Sequence, residues 1–171
     1  MRFKTLAIIS LIFVSFYGHG QICKYVVNDK DPLTDDIIRT VKTRLTGPTP
    51  FYYIYYIRNG SDYKFSVEVG DYGELTDAIP KGSELAMRTG SGAVVRMSSL
   101  AESKPEIIDD FGSKITKYEI AFQMTEQTMK DIAETGIVFI RIKAMNNSFS
   151  DLEIPTGVVE ISQQKAECIF K

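Results

Sequence analysis

The most regular pattern in the chain is a pair of β-type segments that flank Asn59-Gly60. Residues 51–57 are all aromatic or β-branched, and residues 63–69 alternate between apolar and polar side chains. Asn-Gly is typical of a two-residue type I′ hairpin turn, because both residues tolerate positive φ. The pattern therefore predicts an antiparallel hairpin over residues 51–69. Its core face would pair Tyr56 with Tyr63, Ile54 with Phe65 and Tyr52 with Val67.

The other face of this hairpin carries Phe51, Tyr53 and Tyr55, which we call the aromatic row. The predicted register places a polar residue opposite each ring: Glu68 opposite Phe51, Ser66 opposite Tyr53 and Lys64 opposite Tyr55. A tyrosine offers an apolar ring face and a hydroxyl, which suits stacking on a sugar ring. The alternative is that the row packs beneath a second sheet, as in β-sandwiches. The aromatic row is the candidate binding site, and the sequence leaves both interpretations open.

Alternation of apolar and polar residues predicts further strands at 84–88, 93–97, 117–124 and 137–144. The first two flank Gly90-Ser91-Gly92, which is typical of a hairpin turn. A short helix is predicted over residues 125–135. Thr125 is a suitable N-cap for this helix, and Gly136 suits its C′ position.

For two segments the sequence pattern does not decide between a helix and a strand. Residues 36–46 fit both a helical face and a strand, and their β-branched threonines favour a strand. Residues 158–170 fit either element, and residues 99–113 are predicted as a connection. The sequence therefore predicts an α+β fold that is mostly β, an antiparallel sheet or a β-sandwich with one short helix at about 125–135.

The start of the chain resembles a secretory signal peptide. Arg2 and Lys4 precede an apolar core of eleven residues, Leu6 to Phe16, which is too short to span a bilayer, and Gly18 and Gly20 are small enough for cleavage after residue 20. A lipoprotein would need a small residue immediately before Cys23, where Ile22 stands. We therefore predict a signal peptide at residues 1–20 and, since no linker or repeat follows, a single β-rich domain at 21–171. The mature chain contains no further long apolar run, so no transmembrane segment is predicted.

Composition removes several classes of function. The 171 residues are 44% hydrophobic and 25% charged, with a net charge of −2, which is ordinary for a folded domain. Loss of residues 1–20 would leave 18 basic against 22 acidic residues and would remove His19, the only histidine. Without histidine the mature chain lacks the base of a Ser-His-Asp or Cys-His mechanism and an imidazole metal ligand. We predict no catalytic residue, no metal and no cofactor, with carboxylate chemistry as the remaining enzymatic possibility.

Cys23 and Cys168 lie near the two ends of the mature chain. In an oxidising compartment two cysteines without a competitor favour a disulfide, and chain termini often lie close together. The alternative is two unlinked thiols. The sequence favours the disulfide.

Two other charged patterns carry less weight. Asp29, Asp31, Asp35 and Asp36 supply oxygen ligands of the kind that calcium takes, but Leu33 and Pro32 interrupt the EF-hand pattern, which favours a solvated acidic loop. Basic residues are scattered and the net charge is negative. Nucleic acid is therefore not a predicted partner.

Two segments together resemble small secreted proteins of unknown function from the Bacteroides group of bacteria. The first is Tyr118 to Lys143, in which a strand leads into a Thr-Glu helix and then a basic strand; the second is Lys81 to Met97. Met129 and Ile132 depart from the leucine expected in the helix. The resemblance implies a fold and an exported location, and it implies no functional residue.

These observations predict an exported protein, secreted or periplasmic, with a non-catalytic binding or interaction role. Carbohydrate and an envelope protein are the partners we consider, with the aromatic row as the surface to test. Two alternatives remain: a small hydrolase that uses converging carboxylates, and a structural subunit of the envelope.

Overall fold

The computed structural model describes residues 23–46, 50–143 and 149–171, with the side chain of Phe149 left out. The predicted signal peptide, residues 1–20, lies outside the described residues. The described residues form ten strands and two helices, in chain order β1 (Tyr25–Lys30), β2 (Ile37–Arg44), β3 (Phe51–Asn59), β4 (Asp62–Tyr72), β5 (Glu84–Thr89), β6 (Val94–Ser98), β7 (Glu106–Asp110), β8 (Ser113–Met124), α1 (Glu126–Thr135), β9 (Ile137–Lys143), β10 (Phe149–Glu153) and α2 (Thr156–Glu167).

The strands form two antiparallel sheets. The six-stranded sheet has the order β1-β2-β3-β4-β8-β7, and the four-stranded sheet has the order β10-β9-β5-β6. The two meet just after β6, where Ser99 bridges Phe122 and the Leu100 N–H donates to the Ala121 carbonyl at 2.9 Å. Helix α1 contacts β4 and β5, and α2 contacts β2 and β9, so each helix touches both sheets. The mostly β, sandwich-like fold with a helix at 125–135 is as predicted.

The core lies between the sheets and the helices. Alternate residues of β3 and β4 point into it, as do the inner residues of β5, β8 and β9. Fully buried members include Ile54, Tyr56, Phe65, Leu85, Met87, Ile120, Phe122, Met129, Ile132 and Ile140. The alternation of buried and outer residues along β3 and most of β8 is what the two-residue period of a strand predicts.

The β3–β4 hairpin forms, but its predicted register is wrong by two residues. Gly60 and Ser61 form the turn, so Tyr56 opposes Phe65, Ile54 opposes Val67 and Tyr52 opposes Val69. Gly60 has a φ of 58°, whereas Ser61 is not among the residues of positive φ, a pattern typical of type II′ turns. The Gly60 N–H also donates to the Ile37 carbonyl at 2.9 Å, and a Cβ on Gly60 would lie 2.8 Å from the Asp36 Cγ. Because the shift is even, the core face and the outer face keep their residues.

Other local predictions are confirmed or completed. The ambiguous segment 36–46 contains strand β2, and α1 begins after Thr125, whose Oγ1 accepts a hydrogen bond from the Thr128 N–H at 3.1 Å. The tail is a helix, α2, and the predicted connection at 99–113 contains a strand, β7. The fold therefore has a second helix that the sequence left open.

The chain termini are tied together. Cys23 and Cys168 form a disulfide with an S–S distance of 2.04 Å, which confirms the predicted pairing. The Tyr25 hydroxyl donates to the Cys168 carbonyl at 3.0 Å, and the hydroxyls of Tyr56 and Ser162 bond to each other inside the core. These contacts fix the last helix against β1 and β3. Among the described helices, none is long and apolar enough to cross a membrane.

Candidate functional site

The aromatic row lies on the outer face of the six-stranded sheet. Phe51, Tyr53 and Tyr55 alternate along β3 with Ile54 and Tyr56, which are buried in the core with 0% exposure. All three rings of the row are half-buried. The helices and the second sheet contribute to the core on the opposite face, and the ring contacts described below come from neighbouring strands of the same sheet.

Phe51 and Tyr53 support each other at one end of the row. Their ring centroids are 5.5 Å apart in an edge-to-face arrangement, which aromatic pairs prefer. The register places Gly70 opposite Phe51, and a Cβ on Gly70 would lie 2.1 Å from the Phe51 Cζ. The missing side chain of Gly70 therefore lets the Phe51 ring lie directly over β4.

Strand β2 brings two cations to the row. Lys42 pairs with Tyr55 and Arg44 with Tyr53 in the ladder. The Lys42 Nζ lies 3.8 Å from the centroid of the Tyr53 ring and 4.8 Å from that of Tyr55, and the Arg44 Cζ lies 5.3 Å from the Tyr53 centroid. Such cation–π contacts stabilise both partners. Sequence reasoning missed these cations because it did not pair β2 with β3.

Glu68 anchors the centre of this face from β4. Its residue exposure is only 8%, and its carboxylate accepts a hydrogen bond of 2.5 Å from the Tyr55 hydroxyl. The Lys42 Nζ lies 3.5 Å from the other carboxylate oxygen. Burial, and after it the bond to Glu68, raises the pKa of Tyr55 well above its ordinary value, so its hydroxyl remains a donor. The contacts hold Tyr55 and Lys42 in fixed positions beside Tyr53.

The same face places two carboxylates next to each other. Glu68 on β4 pairs directly with Glu119 on β8, whose Oε1 accepts a hydrogen bond from the Ser66 hydroxyl at 3.1 Å. Lys117, two residues along β8, forms an ion pair of 2.7 Å with Glu106 on β7, and the hydrogen bond to Glu106 raises the pKa of Lys117. Glu68 and Glu119 are the carboxylate pair on this face to which the alternative of a small hydrolase would apply.

A second concave surface lies on the outer face of the four-stranded sheet. It is a groove of about 380 Å³, and its lining includes Ala86, Arg88 and Phe139. Its other two arginines are paired: Arg96 with Glu84, and Arg141 with Asp151 through two bonds of 2.6 and 2.5 Å. Glu84, Asp151 and Glu153 balance the three arginines, so this part of the surface has little excess of either charge.

The four aspartates near β1 build a turn. The Asp31 carboxylate accepts hydrogen bonds from the N–H groups of Leu33 and Thr34 at 2.8 and 3.2 Å, and the Asp36 carboxylate accepts one from the Thr34 hydroxyl at 2.7 Å. Within the described part of the chain, no group of three or more His, Cys, Asp or Glu side chains is arranged to hold a metal. The hydrogen bonds of Asp31 and Asp36 stabilise the turn between β1 and β2.

Comparison of the chain with protein-family models, with curated proteins and with solved structures found no match.

Proposed function

We propose that the protein is an exported, non-catalytic binding domain whose aromatic row stacks on the rings of a carbohydrate chain. The observation that carries this proposal is the arrangement of Phe51, Tyr53 and Tyr55 on the outer face, each held in place by its neighbours. Residues of one face recur about every 7 Å along a strand, so the three rings follow one another along the outer face of β3. Sugar rings also follow one another along a carbohydrate chain, and each offers an apolar face and hydroxyls to an aromatic side chain.

Export is supported by two features. Residues 1–20 have the composition of a secretory signal, and the Cys23–Cys168 disulfide indicates an oxidising compartment, because disulfides rarely persist in the cytosol. The resemblance to small secreted proteins of the Bacteroides group agrees with this location and remains an expectation. We therefore propose that the domain lies in the periplasm or outside the cell.

A glycan array probed with residues 21–171 tests the proposal. We expect binding to a polysaccharide or oligosaccharide that is lost in Tyr53→Ala and retained in Tyr72→Ala. Tyr72 is a matched control because it is 61% exposed at the end of β4 and lies outside the aromatic row. Tyr53→Ala would cost roughly 1–2 kcal/mol of stability through lost ring contacts, which a domain of ordinary stability survives.

Two results would overturn the proposal. One is that the domain binds no glycan but captures a specific envelope protein through the same face, which would favour a protein partner. The other is binding that Tyr53→Ala and Tyr72→Ala reduce equally. Urea denaturation of each variant shows whether a loss of binding reflects the site or the fold.

A further inference from the structure

A basic pocket adjoins the aromatic row at the edge of the six-stranded sheet. The described ladder between β1 and β2 starts at the Tyr25–Val41 pair, so the last three residues of β2 extend beyond β1. A pocket of about 290 Å³ lies at this step. Its charged lining residues are Lys24, Lys42, Arg44 and Lys165, and the Tyr53 ring lines it as well.

The charge of this pocket is unusual for the protein. Among the described residues that line it, four are cationic and none is an aspartate or glutamate. Outside this lining, the Glu68 Oε1 lies 3.5 Å from the Lys42 Nζ, so Lys42 is ion-paired. The whole chain carries more acidic than basic residues, 22 against 20. General attraction to polyanions is therefore not expected, and a local excess of positive charge points to a specific anionic group.

The fold brings these cations together from distant parts of the chain. Lys24 follows Cys23, and Lys165 precedes Cys168 by three residues, so the disulfide holds both lysines at one end of the molecule. Lys165 is half-buried. Burial, and after it the nearby Lys24 ammonium group, lowers the pKa of Lys165. An anion between the two lysines would remove this repulsion.

We propose that the basic pocket binds a carboxylate or sulfate group of an acidic sugar chain, whose adjoining ring stacks on Tyr53. This inference rests on the proposed function, because Tyr53 belongs to both the aromatic row and the pocket wall. Lysine and arginine side chains form strong charge-assisted hydrogen bonds with such oxyanions. The pocket thus indicates the class of ligand that would bind the aromatic row, an anionic carbohydrate.

Direct binding measurements on residues 21–171 test the inference with three probes: polygalacturonate, which carries carboxylates; dextran sulfate; and neutral dextran. We expect one or both acidic chains to bind, with an affinity that falls as salt is added, and neutral dextran to bind far more weakly. Lys24→Gln/Lys165→Gln should weaken the acidic interaction about tenfold or more. The matched control is Lys81→Gln/Lys104→Gln, which removes the same charge at two exposed positions distant in sequence and should leave the affinity unchanged.

Four other results would overturn one or both proposals. Equal binding of neutral and acidic chains, insensitive to Lys24→Gln/Lys165→Gln, would overturn the anionic ligand and leave the proposed function standing. Equal losses in the two lysine pairs would overturn the pocket. Acidic binding that needs the pocket lysines but survives Tyr53→Ala would keep the anion site and overturn the aromatic-row function. No binding of any probe or of any glycan on the array would overturn both.

Discussion

Loss of the Cys23–Cys168 disulfide is the perturbation whose cost the structure makes easiest to calculate. The bond joins residues 145 positions apart and therefore closes almost the whole domain into a loop. Restricting an unfolded loop of that length removes about 17 cal/mol/K of chain entropy, or about 5 kcal/mol at 25 °C, in the simple loop-closure model. Domains of this size are typically stable by roughly 5–15 kcal/mol, so the loss would be a large part of the total.

The native contacts around the disulfide add a local contribution. Among the described strands, β1 lies at the edge of its sheet and pairs with β2 alone, and the disulfide lies two residues before its start. Cys168 is fully buried, and its carbonyl accepts the Tyr25 hydroxyl bond. Cys23→Ala/Cys168→Ala keeps the buried position apolar, so its destabilisation should come mainly from loop closure.

Urea denaturation of the oxidised protein, the reduced protein and Cys23→Ala/Cys168→Ala measures the effect. We expect the two disulfide-free forms to agree with each other and to be less stable than the oxidised protein by about 4–5 kcal/mol. A loss below about 1 kcal/mol in both forms would refute the reasoning, because it would mean that the unfolded chain keeps its ends together without the bond. Disagreement between the two forms would assign the cost to packing at Cys168.

Two further predictions concern Tyr56, whose hydroxyl bonds to that of the fully buried Ser162. Tyr56→Phe should lose about 1–2 kcal/mol in urea denaturation, because the Ser162 hydroxyl loses this partner, and Tyr56→Phe/Ser162→Ala should recover most of that loss; no recovery would contradict this account. Burial also raises the pKa of Tyr56 above its ordinary value of 10.0. The unfolded chain then releases the phenolic proton first, so stability should fall as the pH rises above about 10, and urea midpoints measured from pH 8 to 11 should show a smaller fall in Tyr56→Phe.

Elements with complete local signals could be predicted from the sequence. Helix α1 has an N-cap at Thr125, a glycine at its end and two buried apolar residues, Met129 and Ile132, on one face. Strand β8 alternates over most of its length. These signals lie within a few residues of each other, so no knowledge of the rest of the fold is needed to read them.

Elements selected by distant contacts could not be predicted. The hairpin turn begins one residue later than predicted, and there the Gly60 N–H donates to the Ile37 carbonyl, a long-range contact that no local pattern shows. Strand β7 is exposed at all five positions, so it has no alternating pattern to detect. Helix α2 begins after Pro155 without a side-chain cap and buries the small residues Ser162 and Ala166, which leaves its apolar face weak in the sequence.

One part of the candidate site could also be predicted from local sequence, and another part could not. The aromatic row could be recognised because one strand carries all three rings at every second position, whatever its neighbours are. The pocket beside it depends on three separate events: the pairing of β2 with β3 places Lys42 and Arg44, the disulfide holds Lys24, and the packing of α2 places Lys165. No local spacing connects residues 24, 42 and 165. If the ligand is an anionic sugar chain, the aromatic row that stacks on its rings can therefore be recognised in the sequence. The basic pocket that binds its charged groups forms only in the folded, oxidised domain.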